Sequence, residues 1–134
     1  MEAPAIAIMA QEVAAIMSLA EGHSEQAVET LRAAARAESQ LPAPLGLPTP
    51  IKPASELLGE VLLEVGRPVE AIPFFEAALK RYANRSLSLL GLARASAAAG
   101  KADAARRQYR ALLANYAGAD VDLAALKEAR ASRQ

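Results

Sequence analysis

The sequence predicts an all-α protein: an α-solenoid of three helix-turn-helix units closed by a C-terminal capping helix. Three observations carry this. First, Pro53 to Asn84 reads as two helices joined by Gly66-Arg67-Pro68. Leu57, Leu58, Val61, Leu62 and Val65 recur at helical spacing before the turn, and Ala71, Phe74, Phe75, Ala78 and Leu79 after it. Second, the unit repeats. Gly100 matches Gly66, and each is followed by a small residue (Ala71, Ala105) and then an aromatic one (Phe75, Tyr109). Gly59 and Ala93 precede the two glycines at one distance, and Gly22 anchors a weaker copy with Ala15, Ala27 and Leu31. Third, 53% of the residues are hydrophobic but only 4% aromatic, and no run alternates with period two long enough to make a strand.

The spacing from Gly59 through Gly66, Ala71 and Phe75, repeated from Ala93 through Gly100, Ala105 and Tyr109, resembles the tetratricopeptide (TPR) repeat. That resemblance implies helical hairpins with small residues where the two helices cross. The tracts Pro48–Glu60 and Arg85–Ala95 are also similar to the C-terminal repeats of longer bacterial TPR proteins of undefined role. The chain departs from those at Leu45–Pro48 and at Ser55.

Each element has a local reason. Ala3 to Ala20 is the first helix, apolar almost all round, so it expects neighbours on more than one side. Glu21-Gly22-His23 turns the chain, and Ser24 is the expected N-cap of a second helix running to Glu38. Residues 39–52 insert four prolines and a glycine, which preclude a regular helix. Leu41, Leu45, Leu47 and Ile51 predict an ordered, partly extended loop laid over the repeats. The second repeat spans residues 53–84, and Pro73 is expected to kink its second helix near the start. The third repeat spans residues 85–117. Gly118 and Asp120 break the chain, and an amphipathic cap follows within residues 120–133, with Leu123, Leu126 and Ala129 on one face.

Formal net charge is zero, but residues 1–78 hold eleven acidic and four basic residues (−7), and residues 79–134 hold four acidic and eleven basic (+7). Such a dipole favours steering of a partner or head-to-tail association. The absence of cysteine excludes disulfides, thiolate metal sites and a cysteine nucleophile. The apolar run Ala5–Ala10 lacks a basic lead-in and is too short for a membrane span or signal peptide, so a cytoplasmic protein is the default.

No catalytic residue is assigned. His23 is the single histidine and sits in a turn, with no metal-ligand spacing around it. Glu56, Glu60 and Glu64 share one helix face, but a carboxylate metal site would want histidines near them, so no metal or cofactor is expected. Lys101, Arg106, Arg107 and Arg110 are basic without a recognition-helix pattern, so specific nucleic-acid binding is not expected. Protein or peptide recognition remains.

The TPR resemblance implies a concave groove lined by the first helix of each repeat. The expected partner-binding residues are Glu12, Ile16, Glu56, Glu60, Leu63, Glu64, Leu90 and Arg94. A clamp for a C-terminal carboxylate is not expected, because the matching places hold Glu12, Ile16, Leu57, Leu87 and Gly91. A basic or amphipathic helical ligand fits better. Self-association, giving a homodimer, is expected through Ile6, Ile8, Met9, Val13 and Met17. The alternative is a C-terminal fragment of a larger TPR scaffold or regulatory subunit.

Overall fold

The computed structural model describes residues 3–45, 50–118 and 123–133. They hold seven helices and, among the described residues, no strand: α1 (Ala3–Ala20), α2 (Ser24–Ser39), α3 (Ala54–Glu64), α4 (Pro68–Arg81), α5 (Ser86–Ala98), α6 (Ala102–Asn115) and α7 (Ala124–Ala131). The pairs α1/α2, α3/α4 and α5/α6 are hairpins. Each hairpin packs on the next through α2 on α3 and α4 on α5, and α7 closes the stack on α6.

One turn is used three times. Gly22, Gly66 and Gly100 have φ of 84°, 77° and 75°. The N–H following each glycine donates to a carbonyl in the last turn of the helix before: His23 to Ser18 at 2.8 Å, Arg67 to Leu62 at 2.7 Å, Lys101 to Ser96 at 2.8 Å. This bond closes a helix with a left-handed residue. A Cβ at any of the three glycines would meet open space, so the backbone dihedral alone demands glycine there.

The helices cross closely where side chains are smallest. Phe75 of α4 is fully buried. Its ring lies against both Gly59 of α3 and Gly91 of α5, where an added Cβ would fall 2.8 Å and 2.2 Å away. Gly91 therefore permits close packing, as its place inside a helix implies. Leu58, Leu62, Leu31 and Val28 continue the core toward the first hairpin, and Tyr109, Leu112 and Ala129 continue it toward the cap.

Several local expectations change. Ser24 is the first residue of α2 rather than its cap; His23 holds the cap position, with no side-chain cap bond. The helix α4 runs unbroken across Pro73, which lies exposed near its start. The described part of the closing helix is shorter than expected, with Leu123 at its N-cap. The expected break at Asp120 and the start at Val121 lie outside the described residues, as do Gly46 to Thr49 of the proline-rich insertion. The N-terminal end of that insertion is tied down by Arg81, whose guanidinium donates to the carbonyls of Leu41 (3.2 Å) and Pro42 (2.6 Å).

Candidate interaction surfaces

The first helices of the second and third hairpins, α3 and α5, flank an open concavity of about 440 Å³. Glu60, Leu63 and Glu64 of α3 line it from one side, and Leu87, Leu90, Gly91 and Arg94 of α5 from the other. The helical period puts Glu60 and Glu64 one turn apart on the same face of α3. Five of the eight sequence-predicted groove residues come together here: Glu60, Leu63, Glu64, Leu90 and Arg94. Leu87, considered only as a clamp position, joins them.

The charge in this groove is acidic. Arg94 is held by Glu128 of α7, Nε to Oε1 at 2.9 Å and Nη2 to Oε2 at 2.7 Å. The Tyr109 hydroxyl also donates to Glu128, at 2.6 Å. The bound guanidinium holds Glu128 below the usual carboxylate range, and the same pairing raises Arg94. Glu60 accepts from Lys52 Nζ at 2.6 Å, and Glu64 stands exposed.

Glu56 and Glu12 were placed in the groove by sequence, and the structure places both inside the stack instead. Glu56 is fully buried. Arg85 grips it with Nε at 2.7 Å and Nη2 at 3.1 Å, Lys52 Nζ lies 3.0 Å away, and Ser88 Oγ donates a short hydrogen bond. Burial alone would raise this carboxyl, but the bonds from Arg85, Ser88 and Lys52 outweigh it and hold Glu56 below its ordinary range.

Glu38 of α2 is likewise buried. It accepts from the Ser55 backbone N–H at 3.2 Å and from the Tyr82 hydroxyl at 3.3 Å. The first turn of α3 begins after Pro53, which offers no side-chain oxygen, so the previous hairpin supplies the capping carboxylate. Burial raises Glu38 against these bonds.

Glu12 is the exception in this seam. Its Oε1 is buried with no hydrogen-bond partner among the described residues. Burial, with the negative charge of Glu38 added, pushes its pKa up to about 7. The sequence did carry a signal for the pair: Glu12 and Glu56 each stand ten residues before a turn glycine. Of the partners, Glu38 comes from α2, Ser88 from α5 and Arg85 from the junction before α5, and no spacing pointed to them; Lys52 stands four residues before Glu56, just outside α3.

The helix α1 turns Ala5, Ile8, Glu12 and Ala15 inward. Ile8 therefore belongs to the core and not to the expected self-association surface. Ile6, Val13, Ile16 and Met17 are exposed, and Met9 is half-buried. Ile16 lies at the edge between this face and the side carrying Glu12, outside the α3/α5 concavity. By length and composition α1 is apolar enough to cross a membrane. Here it packs along α2 and carries the buried Glu12, a group costly to place in lipid.

Stacked hairpins with a groove lined by alternate helices define a helical-repeat protein of the kind that displays binding surfaces. Two family models described as tetratricopeptide repeat match the chain, one over residues 18–86 and the other over residues 62–131. The chain belongs to the tetratricopeptide-repeat family, whose repeats generally mediate protein–protein interaction. No curated protein matches it.

Proposed function

We propose that this chain is a non-catalytic protein-interaction module whose α3/α5 groove receives a basic or amphipathic helical segment of a partner. The observation that supports the reading is one concavity that sets the exposed carboxylate of Glu64, beside the Lys52-bound Glu60, next to Leu63, Leu87 and Leu90. An apolar side chain on the ligand fits against the leucines, and Lys or Arg one turn away meets Glu64. The concavity holds a few side chains rather than a whole helix. A cytoplasmic setting, protein partners rather than nucleic acid or membrane, and no cofactor belong to the same reading.

The test is fluorescence anisotropy with a labelled Lys/Leu amphipathic peptide against wild type, Glu64→Lys and Leu87→Asp. Both positions are exposed, so folding is spared. At least tenfold weaker binding by each variant is expected. Equal binding by all three removes the groove.

A second reading, self-association into a homodimer through α1, is favoured by the exposed apolar side chains on that helix. Light scattering across concentration and salt tests it. A dimer that survives high salt fits apolar burial, and a dimer lost in salt fits the −7/+7 charge dipole. In the related alternative, the chain is the C-terminal part of a larger TPR scaffold that covers α1 in cis.

A further inference from the structure

Counted back from the turn glycine, the three first helices are in register. Met17, Val13 and Ala10 stand five, nine and twelve residues before Gly22. Val61, Leu57 and Ala54 stand at the same distances before Gly66, and Ala95, Gly91 and Ser88 before Gly100. In α3 and α5 this stripe is turned toward the hairpin that precedes it. Ala54, Ala95 and Ser88 are 0% exposed and Val61 is 2% exposed, with α3 packed on α2 and α5 on α4. In α1 the same positions face solvent: Val13 is 61% exposed and Met17 59%. Two turns earlier on this stripe, Ile6 is 53% exposed. The helix α1 thus carries an inter-hairpin face with no hairpin on it.

We propose that a second copy of this chain seats its own α1 on this face, closing a two-fold dimer in which each first helix covers on the other the face that a preceding hairpin covers on α3 and α5. The proposal rests on the self-association reading above and names its surface. Three features select this occupant. The stripe Ile6, Met9, Ala10, Val13, Met17 and Ala20 has no charged member, so it meets itself without like-charge repulsion. Within it, Ile6, Ala10, Val13, Met17 and Ala20 alternate fours and threes, the seam of paired helices, which sets Ile6 and Val13 one heptad apart. It spans about 21 Å at the helical rise, nearly four turns. The opposite end of the molecule does not fit: Arg106, Arg110 and Arg133 rim the crevice between α6 and α7. Laid on an apolar stripe, those guanidinium groups would lose water without gaining partners. Glu12 points the other way, so pairing leaves the polar seam intact.

The chain has no cysteine, so one engineered thiol reports one surface. Val13 is at the middle of the stripe and faces its own counterpart whether the two helices run parallel or antiparallel. Val13→Cys is compared with Val69→Cys, on the exposed face of α4, under dissolved oxygen with a copper catalyst. Mass is measured by light scattering for wild type and for Val13→Glu/Met17→Glu, with circular dichroism as the folding check. The expected result is a dimeric wild type, disulfide-linked dimer from Val13→Cys at least tenfold faster than from Val69→Cys, and a folded monomer from the double Glu variant. A dimeric wild type with equal cross-linking at the two sites and unchanged mass in the Glu variant overturns this surface and leaves self-association standing. A monomeric wild type at every concentration overturns both. A monomer that co-sediments with phosphatidylcholine vesicles, and no longer does so in the Glu variant, makes the face a lipid contact and overturns the proposal.

Discussion

Replacing Gly91 by alanine should test the tightest crossing in the stack. The new methyl carbon would stand 2.2 Å from Cε1 and 2.3 Å from Cζ of Phe75. Carbon atoms in contact need about 3.5–4.0 Å, so the ring must retreat by more than about 1 Å. It cannot retreat toward α3, because an added Cβ at Gly59 would already lie 2.8 Å from the same ring. Either α5 moves off α4 or Phe75 leaves its rotamer. Overpacking of this kind costs about 1–3 kcal/mol, and the clash here belongs at the upper end. Alanine returns about 1 kcal/mol of helix propensity. The net loss should be about 2 kcal/mol. With an unfolding entropy of about 2.1 cal/mol/K per residue, that lowers the melting temperature of a chain this size by about 7 °C. Thermal and urea melts followed by circular dichroism measure it. Phe75→Leu alone should cost about 1–2 kcal/mol, but it makes room for the methyl group. The double variant should therefore be less damaged than the two single losses added, by about 1 kcal/mol or more. If Gly91→Ala matches wild type, or if the two losses add within about 0.5 kcal/mol, the steric reasoning is wrong.

Three further predictions follow from the polar contacts. A carboxyl whose folded pKa lies above its unfolded value binds its proton more tightly when folded. Glu12 should therefore cost stability as pH rises from about 4.5 through about 7, and Glu12→Gln should flatten that fall and be the more stable protein at pH 8, by urea titration at several pH values. Glu56→Ala takes the carboxylate from the part-buried Arg85, while Lys52 keeps Glu60, and should cost about 3 kcal/mol, read as a drop in the urea midpoint. Glu128→Ala releases Arg94 and Tyr109 and should raise amide exchange in α7 by about tenfold, with protection in α3 and α4 unchanged.

The hairpins were legible in the sequence because the turn glycines need a left-handed backbone and because Gly59, Ala71 and Phe75 stand at distances from Gly66 that Ala93, Ala105 and Tyr109 repeat around Gly100. Those requirements are local or periodic, so a single chain displays them. Burial of charge is neither. The spacing of Glu56, Glu60 and Glu64 puts them on one face of α3, yet that face meets the core at one end and solvent at the other. Whether Glu56 is solvated depends on Arg85 and Ser88, which come from the next hairpin. Ile8 failed for a related reason: a helix apolar on every side does not reveal which side its own α2 will cover. The remaining exposed stripe of α1 became visible only once that side was fixed.

The capping of α3 by Glu38, and the gripping of Glu56 by Arg85 and Ser88, bear on how independent these hairpins are. Units are chemically completed by a neighbour: the first lends the carboxylate that satisfies the first turn of α3, and the third lends the guanidinium and hydroxyl that hold Glu56 of its predecessor. A hairpin cut out and grafted elsewhere would carry a bare helix start or an unbalanced buried charge. Interchangeability, the usual attraction of repeat architectures for engineering, is therefore restricted here to junctions where both halves of such an exchange travel together. The same mutual dependence strengthens coupling between neighbours relative to the stability of any one unit, which favours concerted melting over unravelling from the ends.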